Sequence, residues 1–428
     1  MDVRVYAEGN SLVFNFICDE GDGKFNEKII MDSRKMKVDF KEGFSIKDIH
    51  PDHIALAIIL SVNPFVGETL DINLPVSENF RTACKTITRY KLRYPKTIEP
   101  PYQPEIDSRP GLSFSGGADS TAALLLMPKN TLSVFMDRPL KKFRSLYNKS
   151  AAYATVDYAL RSGYEVKKIY CDVEYVRNPI GFPVDLTPSI PLILMAGKYK
   201  IDSIGFGTVL ESAYRVGHEH SRDYSTSAHY RVWGKLFHAA GLPLYLPVSG
   251  VSEVGTSNIV LKSPFYEYTR SCVRGSWPKS CENCWKCFRK HMVENRLLGK
   301  KVDDTSMSKW LKVKEVKRKL TSWPVSHENV LSWSLQGENT SGTLKQLLLS
   351  SLEGSERDMS FLSNWYPNSL ELVPEKYREF TRKSILNYLS EMDINDQSQI
   401  TTHEMTNWLN SEYSKKSKSD FVQYLESN

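Results

Sequence analysis

Short apolar segments and longer helix-forming segments alternate along the middle of the chain. The apolar segments predict the strands Leu112–Phe114, Leu132–Met136, Val166–Cys171, Ser203–Phe206 and Leu244–Pro247. The segments between them predict the helices Ser120–Met127, Ala151–Arg161, Ser189–Tyr199 and His229–Ala240. Such alternation is typical of a parallel sheet covered by helices on both faces. The pattern therefore predicts an α/β core over residues 110–300, with ligands bound beyond the carboxyl ends of the strands.

The two flanking segments have different patterns. Residues 1–100 combine short strands, polar turns and one helix from Pro51 to Val62, and they predict an N-terminal α+β domain. Only one stripe of that helix is expected to face a core. Five prolines between Pro95 and Pro110 predict a linker. Residues 301–428 predict a helical C-terminal region with a mobile polar tail at 411–420. Residues 309–319 predict a basic helix with a solvated face, and contact with nucleic acid or an acidic partner is the alternative.

Composition narrows the function classes without selecting one. Of the 428 residues, 41% are hydrophobic and 25% charged, which is ordinary for a globular protein. The net charge of +6 suits anionic ligands such as ATP and does not by itself favour nucleic acid. The N-terminus lacks the pattern of a signal peptide, and the longest apolar run, Ile54–Val62, is too short to span a membrane. We therefore expect a cytoplasmic protein without a membrane partner.

A loop of small residues, SGGADS at 115–120, follows the strand that ends at Phe114 and precedes a helix. Gly116 and Gly117 allow close backbone approach, and the free N–H groups at a helix start bind phosphate. The hydroxyl groups of Ser115, Ser120 and Thr121 add hydrogen-bond donors, and Asp119 either caps the helix or holds Mg²⁺. The candidate ATP site therefore consists of Ser113, Ser115, Gly116, Gly117, Asp119, Ser120 and Thr121. An ordinary glycine turn that caps a helix is the alternative.

Two further strand ends offer candidate ligand contacts. We expect Met136 to lie near the adenine and Gly207 near the ribose or substrate, although Gly207 is equally consistent with tight packing. The segment 215–230 contains three histidines and an aspartate, His218, His220, Asp223 and His229. Their spacing matches no compact zinc pattern. Substrate contact, metal binding and plain solvation all remain open for this segment.

Four of the seven cysteines fall within sixteen residues, at positions 272, 281, 284 and 287. Zn²⁺ takes four ligands in a tetrahedron, and overlapping Cys-x-x-Cys steps bring thiolates to one ion. We therefore predict a structural zinc site at Cys272, Cys281, Cys284 and Cys287, within the segment 264–290. An iron–sulfur cluster and free thiols are the alternatives.

The hexapeptide 115–120 resembles the SGGxDS signature of the PP-loop ATP pyrophosphatases, which have an adenine nucleotide alpha hydrolase-like fold. The segment Glu267-x-Thr269-x-Ser271-Cys272, the following cysteines and Arg289 resemble the zinc segment of the QueC family, 7-cyano-7-deazaguanine synthases. The two motifs occur in the same order and at a similar distance, over residues 110–300. The resemblance implies that the loop binds ATP phosphates, with Asp119 and Ser115 as the catalytic residues, and that the four cysteines bind zinc.

The resemblance also implies a reaction. QueC enzymes activate the carboxylate of 7-carboxy-7-deazaguanine with ATP and deliver ammonia to it. This chain departs from the family on the substrate side, at 178–183, in 217–230 and at Ser252-Glu253, where the family has Ser-Lys. Its longer layout resembles the QueC-like proteins of bacterial anti-phage gene clusters, the QatC family of the Qat system above all.

We therefore expect a C–N bond-forming ligase that uses ATP, Mg²⁺ and Zn²⁺ and modifies a partner protein or a deazaguanine base. A plain 7-cyano-7-deazaguanine synthase with added domains and a non-catalytic ATP-binding defence subunit are the alternatives. A tRNA-modifying PP-loop enzyme is a further minor option.

Overall fold

A large mixed sheet with helices around it forms the centre of the computed structural model, which describes residues 1–41, 45–140 and 147–427. No helix within these ranges is both long and apolar enough to cross a membrane. The strands are β1 (Asp2–Glu8), β2 (Ser11–Ile17), β3 (Lys24–Asn26), β4 (Ile29–Met31), β5 (Lys35–Asp39), β6 (Thr69–Ile72), β7 (Lys91–Arg93), β8 (Arg109–Ser113), β9 (Leu132–Asp137), β10 (Glu165–Cys171), β11 (Arg177–Asn178), β12 (Ile201–Gly205) and β13 (Leu244–Tyr245).

The helices become more frequent toward the C-terminus. They are α1 (Pro51–Val62), α2 (Glu78–Cys84), α3 (Ala118–Leu126), α4 (Lys149–Arg161), α5 (Ile190–Met195), α6 (Leu210–Ala213), α7 (Ala228–Ala239), α8 (Glu253–Leu261), α9 (Trp285–Leu297), α10 (Asp304–Leu311), α11 (Lys314–Leu320), α12 (Glu328–Leu335), α13 (Thr343–Ser350), α14 (Glu375–Leu386), α15 (Ile394–Thr401), α16 (Thr406–Asn410) and α17 (Glu412–Ser427). Beyond α7 the described chain contains only one short strand, β13.

Strand β8 occupies the topological switch point of the sheet. The ten strands are ordered β13-β12-β8-β9-β10-β5-β2-β1-β6-β7, and the first five are mutually parallel. From β8 the chain adds β9 and β10 on one side, and β12 and β13 are added on the other. The prediction of an α/β fold with a mostly parallel sheet is confirmed. Ligands of such sheets bind at the crevice between β8 and β12, outside the strand ends.

The N-terminal strands continue the same sheet. Strand β5 pairs antiparallel with β10, through Asp39 opposite Tyr170 and Val38 opposite Cys171. The largest hydrophobic cluster likewise contains side chains from both sides of residue 100. Strands from both sides of the predicted domain boundary near residue 100 therefore belong to one sheet. The division into domains stays a prediction. The predicted linker is shorter than expected, because Pro110 belongs to β8 and pairs with Ser203.

Several helices differ from their prediction. Helix α1 has the predicted bounds, but it is buried from Asp52 to Val62 on all sides rather than along one stripe. Helix α5 ends at Met195, four residues before its predicted end at Tyr199.

The basic segment 309–319 is not one helix. It belongs to α10 and α11, which are separate because the chain is extended at Val313, and Val316 and Leu320 of α11 are buried. The tail predicted to be mobile lies in α17, which buries Ser414, Ser417, Phe421 and Leu425. These residues are spaced by three, four and four positions and therefore lie on one face of the helix, and burial of that face explains why the tail is ordered.

Candidate functional site

The loop 114–117 turns the chain from β8 into α3 at the switch point of the sheet. Gly116 has a φ of +73°, and a Cβ at this position would lie 2.9 Å from the carbonyl oxygen of Ala152. Glycine is therefore required here for two separate reasons. Ser115 Oγ lies 2.9 Å from Ser120 Oγ and spans the loop. Gly117 is the N-cap of α3 and offers no side-chain cap, so no N-cap side chain competes with an anion for the amide groups at the helix start.

Gly207 packs against the start of α3 from the neighbouring strand end. A Cβ on Gly207 would lie 2.7 Å from the backbone nitrogen of Ser120 and 2.8 Å from the carbonyl carbon of Asp119. The loop and the end of β12 are thus in direct backbone contact. This contact accounts for the glycine through packing, and a role for Gly207 in binding ribose or substrate stays a prediction.

We predict different effects on stability when Gly207 and Gly117 are each replaced by alanine. Gly207→Ala should displace the start of α3 and lower the free energy of unfolding by about 1–3 kcal/mol. Gly117→Ala is the matched control, because its Cβ would lie 3.6 Å from Ser115 Oγ at an ordinary negative φ of −86°. We expect Gly117→Ala to leave urea unfolding unchanged. Equal losses of stability in both variants would contradict the packing role of Gly207.

The other predicted ATP-site residues lie at or behind the loop. Ser113 is the last residue of β8, and Thr121 is fully buried in the first turn of α3. The Oγ1 atom of Thr121 has no hydrogen-bond partner within the described chain. Met136 is next to last in β9, and its side chain is buried in the largest hydrophobic cluster. Contact of these residues with ATP stays a prediction.

Asp119 contacts groups that sequence reasoning missed. Thr256 Oγ1 donates a hydrogen bond of 2.8 Å to Asp119 Oδ1, and Lys290 Nζ lies 3.8 Å from the same oxygen. Lys290 also lies 3.2 Å from Glu253 Oε1 and donates a hydrogen bond to Ser257 Oγ. The carboxylate therefore does not cap α3. It belongs to a polar cluster that α8 and α9 place beside the loop, which no short-range sequence motif indicates.

Lys290 is part of a buried network of ion pairs and hydrogen bonds. Arg289 donates to Glu253 Oε2 through Nε at 2.9 Å and Nη2 at 2.8 Å, and both side chains are at least 90% buried. Burial alone would raise the pKa of Glu253, but Lys290 and Arg289 hold it well below its usual range. The backbone N–H of Glu253 donates to the Glu211 carboxylate, which also accepts from Asn329 Nδ2 at 3.0 Å. The network thus connects α12 to the loop through three helices.

Glu211 makes the network sensitive to pH. Burial, together with the nearby Glu253 charge, raises the pKa of Glu211 to about 7. Because the folded state binds the proton more tightly than the unfolded state, stability should fall as pH rises from about 4.5 to about 7. Glu211→Gln removes this dependence and should stabilise the protein relative to wild type by about 2 kcal/mol at pH 8 and by much less at pH 5. Urea unfolding of both proteins at the two pH values tests this, and equal differences at pH 5 and pH 8 would contradict it.

The four clustered cysteines are positioned to hold one metal ion. The Sγ atoms of Cys272, Cys281, Cys284 and Cys287 all lie within 4.8 Å of one another. The distance between Cys281 Sγ and Cys287 Sγ is 3.7 Å, close to the separation of about 3.8 Å expected for two thiolates on a tetrahedral zinc ion. A hydrogen bond from Cys287 lowers the pKa of Cys284 to about 5. The prediction of a four-cysteine group that could hold a metal such as zinc is confirmed.

The segment that contains the cysteines is anchored to the start of α4 and to the loop. The backbone N–H of Asn148 donates to the carbonyl of Val273 at 2.7 Å, and the N–H of Trp277 donates to Ser150 Oγ at 2.9 Å. Next to Cys272, Ser271 Oγ accepts a hydrogen bond of 3.3 Å from the N–H of Ala118 at the start of α3. The cysteine segment therefore contacts the first amide group of α3.

A cavity of about 560 Å³ lies between the cysteine segment, α8, α9 and α10. One end reaches Ala118 and Ser271 beside the loop, and the lining includes Cys272 and Cys287. Five cationic side chains and two carboxylates also line it: Arg270, Lys279, Lys286, Lys290, Lys309, Glu282 and Glu294. The volume is in the range of small-molecule sites, and the charge balance favours an anion.

The histidine-rich segment does not form a metal site. Within the described ranges, the cysteine cluster is the single group of three or more His, Cys, Asp or Glu residues placed to hold a metal. His229 Nε2 pairs with Asp185 at 2.9 Å, and its Nδ1 lies 2.8 Å from the hydroxyl of Tyr224. His220 is largely exposed. The metal-binding alternative for His218, His220, Asp223 and His229 is therefore wrong within this structure, because the side chains do not converge.

One family model matches part of the chain. Residues 232–404, less than half of the sequence, match a family of unknown function (DUF6395). The matched region includes α8, the cysteine cluster and α9, and it begins after the loop 115–120. The searches of curated proteins and of solved structures found no match.

Proposed function

We propose that this chain is a QueC-like PP-loop enzyme that binds ATP at residues 115–120 and uses it to adenylate a carboxylate. The observation that supports this is the placement of the SGGADS loop. It follows the switch-point strand β8, and α3 begins there at an N-cap glycine without a side-chain cap. Loops and helix ends with this geometry bind phosphate groups through backbone amides.

In this proposal some loop residues bind the phosphates and another, Asp119, contributes to charge neutralisation. The amides of Gly116 and Gly117, with the hydroxyl groups of Ser115 and Ser120, bind the phosphates. Asp119 holds Mg²⁺, which neutralises phosphate charge. Ser113 and Thr121 support the loop, while Met136 and Gly207 border the adenosine. Lys290, 3.8 Å from Asp119 Oδ1, adds a cation beside the departing pyrophosphate.

The proposed reaction has two steps. A carboxylate oxygen of the substrate attacks the α-phosphorus of ATP, and the bond between the α-phosphorus and the bridging oxygen breaks to release pyrophosphate. An amine nitrogen then attacks the carbonyl carbon of the acyl adenylate, loses a proton and displaces AMP. Neither step requires a nucleophilic side chain of the protein, so positioning and charge neutralisation supply the catalysis.

We propose zinc as the ion of the cysteine cluster, in a structural role. Four thiolates fill a tetrahedral zinc site and leave no position for substrate. The hydrogen bond of 3.3 Å between the Ala118 N–H and Ser271 connects this site to the loop.

The substrate and the biological setting rest on the family resemblance. It supports a 7-deazaguanine-type carboxylate, a cytoplasmic location and, from the longer layout, a role in bacterial anti-phage defence with a partner protein as the amine. Nucleic acid is not the favoured partner, because the basic segment 309–319 is divided between two helices and Lys317 donates to the carbonyl of Leu425.

The test is product analysis by mass spectrometry with ATP, Mg²⁺ and 7-carboxy-7-deazaguanine, with and without ammonia. We expect pyrophosphate and an acyl adenylate that ammonia converts to neither amide nor nitrile. When a protein amine is supplied, we expect AMP and an N-substituted amide on that protein. Nitrile formed from ammonia alone would instead identify a plain 7-cyano-7-deazaguanine synthase. Bound ATP without any cleavage would identify a non-catalytic ATP-binding subunit and overturn the proposal.

A further inference from the structure

The first two turns of α9 carry cations where a helix ordinarily favours anions. Lys286 is the second residue of α9, and Lys290 follows four positions later on the same face. Both line the cavity beside the cysteine cluster. Cations near a helix N-terminus oppose the helix dipole, and like charges four residues apart repel each other. Lys290 is compensated by Glu253, at 3.2 Å, whereas no ion pair within the described ranges compensates Lys286.

Two more lysines on the cavity wall lack a protein counter-ion. Lys279 comes from the cysteine segment and Lys309 from α10, and neither forms an ion pair with a residue that the structure describes. Of the two carboxylates in the lining, Glu294 accepts a hydrogen bond from the hydroxyl of Tyr266. The cavity therefore has an excess of positive charge that one carboxylate of a ligand would not balance.

The end of the cavity beside the loop has an unused polar group. Thr269 lines the cavity and is 8% exposed, and its Oγ1 has no hydrogen-bond partner within the described chain. Thr269 is two residues from Ser271, whose Oγ contacts the N–H of Ala118. A ligand in the cavity would thus lie next to the proposed phosphate loop.

From these observations we propose that the cavity prefers, among deazaguanine-type carboxylates, a molecule that carries a second acid group besides the carboxylate that becomes adenylated. That carboxylate lies at the loop end, near Thr269. The second acid group, a phosphate or another carboxylate, lies among Lys279, Lys286 and Lys309. The inference rests on the proposed function and adds that the site prefers a substrate with a second acid group.

The same lysines have a competing explanation, since four thiolates around one Zn²⁺ carry a net charge of −2 that nearby cations stabilise. A paired test separates the two. The probes are 7-carboxy-7-deazaguanine and its ribonucleoside 5′-monophosphate, which adds a phosphate to the same heterocycle. Binding is measured by calorimetry without ATP, on wild type and on the double variant Lys286→Gln/Lys309→Gln. Lys85→Gln/Lys91→Gln, outside the cavity, is the control of equal charge change.

We expect wild type and the control to bind the phosphorylated probe about tenfold more tightly than the free base. In the cavity variant this preference should fall below about twofold, with metal content and ATP affinity unchanged. Equal binding of both probes to wild type, or loss of metal in the cavity variant with the preference retained, would overturn the inference. A separate result, the absence of ATP binding to the wild-type protein, would contradict the proposed function.

Discussion

Replacing Cys284 and Cys287 together by serine is expected to remove the metal and to reduce ATP turnover by about 100-fold. Two thiolates cannot complete a tetrahedral site, and metal binding energy contributes directly to local folding. Cys284 is also the N-cap of α9, where its Sγ accepts from the N–H of Cys287 at 3.4 Å. Without the cluster, Ser271 would no longer be held against the start of α3, and the α9 cations would lose their position.

Elemental analysis, turnover assays and limited proteolysis check this expectation. Wild type should contain about one zinc ion per chain, and the variant should become cleavable within residues 270–284. Cys18→Ser is the control, because this half-buried cysteine lies outside the cluster. A metal-free wild-type protein with normal stability would contradict the zinc assignment.

Asp119→Asn is expected to reduce pyrophosphate release by about 100-fold to 1,000-fold without loss of the fold. Asparagine keeps an oxygen that can accept the 2.8 Å hydrogen bond from Thr256, while Lys290 retains Glu253 as its counter-ion. The substitution therefore removes mainly the negative charge assigned to Mg²⁺. Ser115→Ala should also abolish turnover, since its hydroxyl lies 2.9 Å from that of Ser120 across the loop.

The matched control is Asp157→Asn, which removes an aspartate from an exposed ion pair with Lys168 and should leave turnover unchanged. Circular dichroism and thermal unfolding establish that all three variants fold. Wild-type turnover in both Asp119→Asn and Ser115→Ala would show that the loop is a structural turn rather than an ATP site.

The parallel part of the fold could be predicted because its signals are local. A short apolar strand, a glycine loop and a helix follow one another at β8 and α3, and the predicted α3 lies within two residues of the observed one. Participation of β5 in the same sheet could not be predicted, since it depends on contacts between Val38 and Cys171, more than 130 residues apart. The ordered tail was missed because the charge of 411–420 obscured the apolar spacing that continues to Phe421 and Leu425.

In the candidate site, too, the residues that could be predicted belong to local motifs, whereas the others are brought together only by the fold. The loop and the cysteines are short motifs, and the structure places each of them as a compact group. Lys290, Thr256 and Glu253 come from two helices more than 130 residues from Asp119, and only the fold brings them to the loop. One signal was available in the sequence. Glu253 stands where the family that the chain resembles has Lys, so the loss of that cation could be read from the sequence, whereas the position of Lys290 beside Glu253 could not.

The most direct test of the central claim is the exchange of labelled pyrophosphate into ATP. The exchange requires reversible adenylation, so it reports the first chemical step and does not depend on the identity of the amine. With 7-carboxy-7-deazaguanine or its phosphorylated nucleoside present, we predict exchange in wild type, and exchange about 100-fold to 1,000-fold slower in Asp119→Asn. Without the acid we predict no exchange. ATP that binds to the wild-type protein without any acid-dependent exchange would contradict adenylation and identify the loop as a nucleotide-binding element without this chemistry.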